Sequence, residues 1–215
     1  MSVSPWAMVT FDIDGTLTLG HGWQFVADRF GRRAAYDRTT AKFGRGEVGE
    51  DEHLANLLAI AEGHTVAEVE KVLEETPKPR HIRETVDALR GRGIRSALLS
   101  HNPLYVCDWY ARTFGFEAYE GCDSPPPVNG VIPAPGKLRA DKVASLTRLL
   151  ARTGVPAAKV IHVGDGRPDA EVFRRVGAGV AFNSRVPAVR EEADAVVDSE
   201  DLADLLAVVD RLRPR

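Results

Sequence analysis

Four short apolar runs along the chain are nearly continuous rather than alternating, and each is followed by turn or helix signals. That pattern predicts strands buried on both faces, as in a parallel sheet. The runs are WAMVTF before Asp12, IRSALLS ending at Ser100, KVIHVGD ending at Asp165 and GAGVAF ending at Phe182, with a shorter edge strand predicted at DAVV over 194–197. Between them apolar residues recur at helical spacing. Ile82, Val86 and Leu89 do so in HIRETVDALRGRG, which Gly93 closes, and Val143, Leu146, Leu149 and Leu150 do so in DKVASLTRLLARTGV. Strands alternating with helices predict an α/β fold with a doubly wound parallel sheet, in which ligands bind at the carboxyl ends of the strands.

Residues 20–79 interrupt this alternation. GWQFVADRFG, YDRTTAKFG, EDEHLANLLAIAEG and TVAEVEKVLEET read as amphipathic helices, and the prolines of TPKPR close the stretch because they cannot continue a helix. The expected organisation is a core of residues 1–19 and 80–215 with a small helical domain inserted at 20–79. A second irregular segment, EGCDSPPPVNGVIPAPG, contains Asn129-Gly130, a pair that favours a tight hairpin turn and predicts a short flap.

Composition narrows the partners. The 215 residues are 44% hydrophobic, enough to bury a full core, while a net charge of −3 gives no overall attraction to nucleic acid or to an anionic membrane. Small molecules are the expected ligands, and the chain is expected to act as a monomer or homodimer. Cys107 and Cys122 have no metal-ligand spacing and read as small partly buried side chains. No apolar run reaches about 18 residues and the N-terminus has no charged-then-apolar signal, which predicts a soluble cytoplasmic protein.

Chemistry gathers at the strand ends. Asp12 and Asp14 close the first strand, Ser100 the second, and Asp165 with Asp169 the third, so all meet at one edge of the sheet. Carboxylates crowded there raise one another's pKa unless a cation neutralises them. Oxygen ligands without a histidine or thiolate cluster point to Mg²⁺. One aspartate is suited to attack phosphorus and form an aspartyl-phosphate, while its neighbour moves protons.

These residues carry a resemblance. DIDGTLT resembles the first motif of the haloacid dehalogenase (HAD) superfamily, D-x-D-G-T; ALLSHN resembles the second, a hydrophobic strand ending in Ser or Thr; and DKVASLTRLLARTGVPAAKVIHVGDGRPD resembles the third and fourth as they occur in phosphoserine-phosphatase-like members. The resemblance implies a Rossmann-type core with a helical C1 cap at residues 20–79. It implies Asp12 as nucleophile, Asp14 as general acid and base, and Ser100 and Lys142 as ligands of the transferring phosphoryl group. Mg²⁺ would be bound by the carboxylates of Asp12 and Asp165 and the backbone carbonyl of Asp14, with Asp169 supporting the site directly or through water. Gly15 and Thr16 would turn the chain so that backbone N–H groups face the phosphate. Lys142 is preferred to Lys137, which fits an exposed loop.

Other polar residues read more plainly. His162 reads as a satisfied core histidine. His101 adjoins Ser100 and joins the candidate phosphate ligands, although an exposed loop position is the simpler reading for it and for His21. Arg29, Arg32, Arg33, Lys42 and Arg45 read as a solvated helix face. Phosphoserine phosphatases carry a glutamate after the first motif and a cap arginine that hold the amino acid; here LTLGHGWQF offers His21 and no acid, the cap stretch EDEHLANLLAI offers no arginine, and Pro168 stands where asparagine is common. The pattern therefore implies a Mg²⁺-dependent phosphatase of a small phosphorylated metabolite other than phosphoserine. A phosphomutase or phosphotransferase would use the same aspartyl-phosphate, and a non-catalytic phospho-ligand-binding regulator is the alternative from another class.

Overall fold

The computed structural model describes residues 4–215 and contains a six-stranded parallel sheet in the order β3-β2-β1-β4-β5-β6. Its strands are β1 (Met8–Phe11), β2 (Arg95–Pro103), β3 (Ala118–Cys122), β4 (Val160–Gly164), β5 (Ala178–Phe182) and β6 (Ala195–Val197). Strand order reverses between β1 and β4, and in such sheets the crevice beyond that switch point receives the ligand. Asp12 follows one of these strands and Asp165 the other, so the topology alone brings two acids to the crevice.

Helices cover both faces because successive strand residues point to opposite sides. Val9, Phe11, Leu98, Ile161, Val163 and Val180 join one apolar cluster, which includes Val86 and Leu89 of α5 (Ile82–Gly91) and Cys107 and Tyr110 of α6 (Leu104–Phe114). Met8, Ala97, Leu99 and Val160 face the other way, onto Leu146 and Leu149 of α7 (Lys142–Thr153) and Val172 of α8 (Arg167–Phe173). Each fully buried Val, Leu, Ile, Phe or Met side chain among them contributes about 1.5–3 kcal/mol. Two shorter helices, α9 (Pro187–Glu192) and α10 (Leu205–Arg211), complete the C-terminal part.

Between β1 and α5 the described chain is helical without strands: α1 (Gly22–Arg29), α2 (Arg33–Gly44), α3 (Glu50–Leu58) and α4 (Val66–Glu75). A capping box starts α4, with Thr65 Oγ1 accepting from Glu68 N–H and the Glu68 carboxylate accepting from Thr65 N–H. Of the basic residues read as a solvated face, Arg29 pairs with Glu75, Arg33 with Asp28 and Asp37, and Arg45 with Glu47, while Arg32 donates to the carbonyls of Ala59 and Ile60.

One strand was not foreseen. AYEGC forms β3 because Glu120, only 7% exposed, is neutralised by Arg148 and Arg152 from α7. Without those tertiary partners Glu120 and Gly121 break the apolar run that marks the other strands. The Asn129-Gly130 turn does form: both residues have positive φ (51° and 78°), and Val128 and Val131 exchange backbone hydrogen bonds across it. Backbone bonds then tie this flap to the helical segment, from Gly63 N–H to Ile132 O, from Ile132 N–H to His64 O and from Val66 N–H to Gly130 O. Cys107 and Cys122 are buried and free. Among the described residues, no helix is long and apolar enough to cross a membrane.

The seat of α8 against the sheet depends on Gly179 of β5, where an added Cβ would lie 2.3 Å from Cγ of Phe173. Gly179→Ala is expected to destabilise the fold by about 1–3 kcal/mol through overpacking. A lowered midpoint of denaturant unfolding at unchanged slope checks this; an unchanged midpoint would show that the helix gives way freely.

Candidate active site

The site starts where β1 lets go of the sheet. Asp12 N–H still reaches Val163 O at 2.9 Å, which keeps Asp12 at the strand end, and the chain then turns through Gly15 at φ +76°. Three glycines let carboxylates lie directly on backbone. A Cβ on Gly15 would come 2.2 Å from Asp165 Oδ2, one on Gly22 would come 2.7 Å from Asp14 Oδ1, and one on Gly164 would come 2.2 Å from Asp169 Cγ. Side chains at these positions would displace the acids, which is the steric content of the glycine of DIDG, of the first glycine of VGDG and of Gly22 at the start of α1.

Oxygens of Asp12, Asp165 and Asp169 lie within 4.8 Å of one another. Lys142, at the start of α7, reaches into this group with its side chain 4% exposed, and its Nζ stands 2.6 Å from Asp169 Oδ1 and 3.0 Å from Asp12 Oδ1. Burial works against the ammonium charge, but Asp12 and Asp169 outweigh it and raise the pKa above the usual lysine range. Lys137 remains exposed on the preceding loop.

The four carboxylates are partnered unequally. Asp169 is saturated: Oδ1 accepts from Lys142 Nζ and from His162 Nε2 (2.9 Å), and Oδ2 accepts from the N–H groups of Asp165 (3.1 Å) and Gly166 (2.9 Å). Burial would raise its pKa, and Lys142 and His162 more than reverse that, so it stays ionised. Asp14 Oδ1 accepts from Gly22 N–H (2.5 Å) and Oδ2 from Asn102 Nδ2 (2.8 Å). The Asp165 carboxylate accepts no hydrogen bond among the described residues, and Lys142 approaches Asp12 Oδ1 without a well-directed bond. Burial, opposed by Lys142 and reinforced by Asp169 and Asp14, pushes Asp12 up to about 7. Burial and then the charges of Asp12 and Asp169 push Asp165 up to about 8.

Two under-partnered carboxyls that resist ionisation side by side fit a bound cation. No donor among the described residues reaches the Asp14 carbonyl oxygen either, so Asp12, Asp165 and that carbonyl form an all-oxygen set. With four donors on its oxygens, Asp169 is the acid least free to join it directly.

Ser100 Oγ accepts from the backbone N–H and Nδ2 of Asn102 (3.3 and 3.1 Å), and its own hydroxyl proton has no acceptor among the described residues. Gly15 and Thr16 do not form the expected N–H nest. Gly15 N–H is directed at Gly20 O and Thr18 Oγ1, and Thr16 N–H at Ile13 O, because the loop folds back on itself before α1. Among the described residues, the N–H groups of Ile13 and Asp14, next to Asp12, have no acceptor, and neither do those of Gly20 and His21 at the far end of the loop. His101 is not an exposed loop residue. It lies within β2 with its side chain 19% exposed, Nδ1 stands 3.8 Å from Glu50 Oε1 of α3, and burial with the nearby Lys142 charge lowers its pKa to about 4. His21 precedes α1, packs edge-on against Tyr36 and lines a cleft of about 720 Å³ that runs from Asp14 and Asp165 to Ser184 and Arg185.

Two residues near the acids escaped the sequence reading. Asn102 bridges Ser100 and Asp14, and its orientation is set because Oδ1 accepts from Trp23 Nε1 at 2.9 Å. A polar residue just beyond Ser100 was the only signal for it. His162, read as a satisfied core histidine, is indeed fully buried and bonded, but one of its two partners is Asp169.

A model of the haloacid dehalogenase-like hydrolases matches residues 6–177. A phosphoserine phosphatase of Mycobacterium tuberculosis is 29% identical over 196 residues, covering 87% of this chain and 46% of that protein. One from Archaeoglobus fulgidus is 25% identical over 206 residues, covering 94% of this chain and 59% of that protein. The chain thus spans about half the length of these curated relatives. Among solved structures, a HAD family hydrolase from Salmonella enterica serovar Typhi is similar in fold, with a TM-score of 0.84 and 18% identity over 97% of this chain and 73% of that one.

The two raised carboxyls have a thermodynamic consequence. The folded protein holds protons on Asp12 and Asp165 up to about 7 and about 8, whereas unfolded carboxyls titrate near 3.8. Stability from these groups is therefore full below about pH 4 and is lost as pH rises through the folded values. With chelator present, the melting temperature is expected to fall between about pH 5.5 and 8.5, and Mg²⁺ is expected to raise it more at the higher pH, where it displaces fewer protons. Thermal melts at both pH values check this; an equal Mg²⁺ effect at the two would remove Asp12 and Asp165 as the ligands.

Proposed function

Because the chain belongs to the haloacid dehalogenase-like hydrolase family, we propose that it is a Mg²⁺-dependent phosphatase that hydrolyses a small-metabolite phosphomonoester through an aspartyl-phosphate. The observation that carries this reading is the unequal partnering of Asp12 and Asp14: one carboxylate lies beside Lys142 with an oxygen lacking a directed donor, and the other is held by two N–H groups. A nucleophile needs an accessible lone pair, and a proton carrier needs a fixed position. Relatives named phosphoserine phosphatase support the same reaction class.

In this mechanism an Asp12 oxygen attacks phosphorus and the ester oxygen leaves with its bonding electrons, taking a proton from the Asp14 carboxyl. Asp14, now a carboxylate, accepts a proton from the water that attacks the acyl phosphate, which frees inorganic phosphate and restores Asp12. The Lys142 ammonium, the Ser100 hydroxyl and the N–H groups of Ile13 and Asp14 would hold the phosphoryl oxygens as charge builds on them. Mg²⁺, held by Asp12, Asp165 and the Asp14 carbonyl, would neutralise phosphoryl charge; the oxygen-only donor set favours it over softer metals.

Residues 1–19 and 80–215 would form the catalytic core and residues 20–79 the cap that encloses the leaving group. The cap side of the site supports a substrate other than phosphoserine. It brings His21, Tyr36 and Glu50 near the acids, while Arg29, Arg33 and Arg45 are paired with cap acids and Arg32 with cap carbonyls, which leaves none of the four aimed at a substrate carboxylate.

Phosphate release from a panel of phosphomonoesters, measured with Mg²⁺ and with chelator, tests the proposal. Metal-dependent release is expected, and Asp12→Asn is expected to lower it by more than about a thousandfold while the protein stays folded. Undiminished hydrolysis by the variant would exclude the aspartyl-phosphate.

A further inference from the structure

We infer that His162 is a positioning residue: its imidazole, set in one tautomer by the carboxylate it faces and steadied at Nδ1 by Thr10, holds the Asp169 carboxylate and through it the Lys142 ammonium in register with Asp12. The consequence for catalysis rests on the phosphatase reading above; the tautomer and the hydrogen-bond chain do not.

His162 occupies the middle of β4, paired with Thr10 of β1 on one side and Gly179 of β5 on the other, and is 0% exposed. Its neighbours in the strand, Val160, Ile161 and Val163, are apolar and equally buried. An apolar side chain would fill the place without any polar group to satisfy, so the fold itself does not call for an imidazole there. Both ring nitrogens are nevertheless bonded. Nδ1 stands 2.8 Å from Thr10 Oγ1 and Nε2 stands 2.9 Å from Asp169 Oδ1, with the Phe173 ring centred 5.8 Å away. The contacts reach two elements, β1 and α8, that each carry a part of the site.

The direction of every bond follows from the chemistry of the partners. Asp169, facing Lys142, is an ionised carboxylate and only accepts, so Nε2 carries the hydrogen. Burial keeps the imidazole neutral, which leaves Nδ1 bare to accept from the Thr10 hydroxyl. A carboxylate is symmetric about its terminal torsion, and the two backbone N–H groups hold only Oδ2. On the Oδ1 side the donors are Lys142, whose stem has four rotatable bonds, and His162, whose ring is clamped between strand and helix. The rigid member of that pair sets the place of Oδ1, and the flexible ammonium follows it to its 2.6 Å contact and to its position 3.0 Å from Asp12. Groups that orient a site residue from behind typically contribute ten- to hundredfold.

The test joins imidazole nitrogen spectra of the full chain with kinetics on p-nitrophenyl phosphate in Mg²⁺. The native His162 signal is expected as one neutral tautomer with hydrogen on Nε2, and Thr10→Val, which removes only the partner of Nδ1, is expected to shift the Nδ1 resonance while the hydrogen stays on Nε2, because Asp169 sets the tautomer. His162→Met keeps bulk and loses the donor; kcat is expected to fall about ten- to hundredfold with KM changed less than about threefold. His162→Gln presents an amide N–H where Nε2 stood and is expected to restore kcat to within about threefold of native. A bare Nε2 in the native spectrum overturns the inference, as does a folded Met variant with native kcat or a Gln variant no better than Met. Should the native enzyme release no phosphate from this ester, the phosphatase reading is what fails, and the nitrogen spectra of the native chain and Thr10→Val still decide the positioning.

Discussion

One buried ammonium organises the sheet edge. Among the described residues, Lys142 alone brings a positive charge into the space shared with Asp12 and Asp169, and with 4% of its side chain exposed it has no solvent to fall back on. A lone charge at that depth is untenable, and a pair or triad is tolerated when geometry and further hydrogen bonds answer every polar atom. Asp169 meets that condition with four donors. Asp12 does not, and the Asp165 carboxylate has no donor among the described residues. The site therefore contains one settled ion pair and a residual demand for positive charge, located where the strand order reverses. That unmet demand, rather than the number of acids, is what fits the crevice to a cation.

The settled pair also ties separate elements together. Asp141 caps α7 by accepting from Ala144 N–H, which fixes the helix start that carries Lys142. Asp169 lies in the first turn of α8, and its Oδ2 bonds join that turn to the end of β4. Across the crevice the helical segment is bound to the flap by backbone bonds at residues 63–66 and 130–132, and Asp51 accepts from Ala140 N–H just before α7. The segment and flap are thus coupled: any opening that lifts α3 away from His101 has either to carry the flap with it or to break those bonds.

How much of this could be read in the sequence followed from how local each signal is. β1, β2, β4 and β5 were legible because continuous apolar runs mean burial on both faces, and the acids were legible because each stands at the end of such a run. β3 was hidden because Glu120 becomes compatible with a buried strand only once Arg148 and Arg152 arrive from a helix more than twenty residues away. His101 looked like loop because the strand continues past Ser100 to Pro103. Asn102 and His162 are polar residues in or beside strands, and their meaning lies in tertiary partners that the local pattern does not show, Trp23 and Asp14 for one, Thr10 and Asp169 for the other. The N–H nest failed for a related reason, since which amide faces a crevice depends on where the loop closes on itself.

The two acids of DIDG show how local geometry gives neighbouring carboxylates different environments. In an extended chain residues i and i+2 point the same way, and two carboxylates so placed repel. The chain avoids this by leaving the sheet after Asp12: the carbonyl of Ile13 accepts the N–H groups of Thr16, Leu17 and Thr18, and Gly15 takes a conformation open to glycine. Asp12 then answers to Lys142, and Asp14 answers to Gly22 N–H and Asn102. Both partners of Asp14 belong to or depend on α1, because Asn102 is itself oriented by Trp23 of that helix. The Asp14 carboxylate is therefore held in place only when α1 is seated against the sheet. Asp12, by contrast, is placed by β1 and β4 and by Lys142 of α7, which Asp169 of α8 holds.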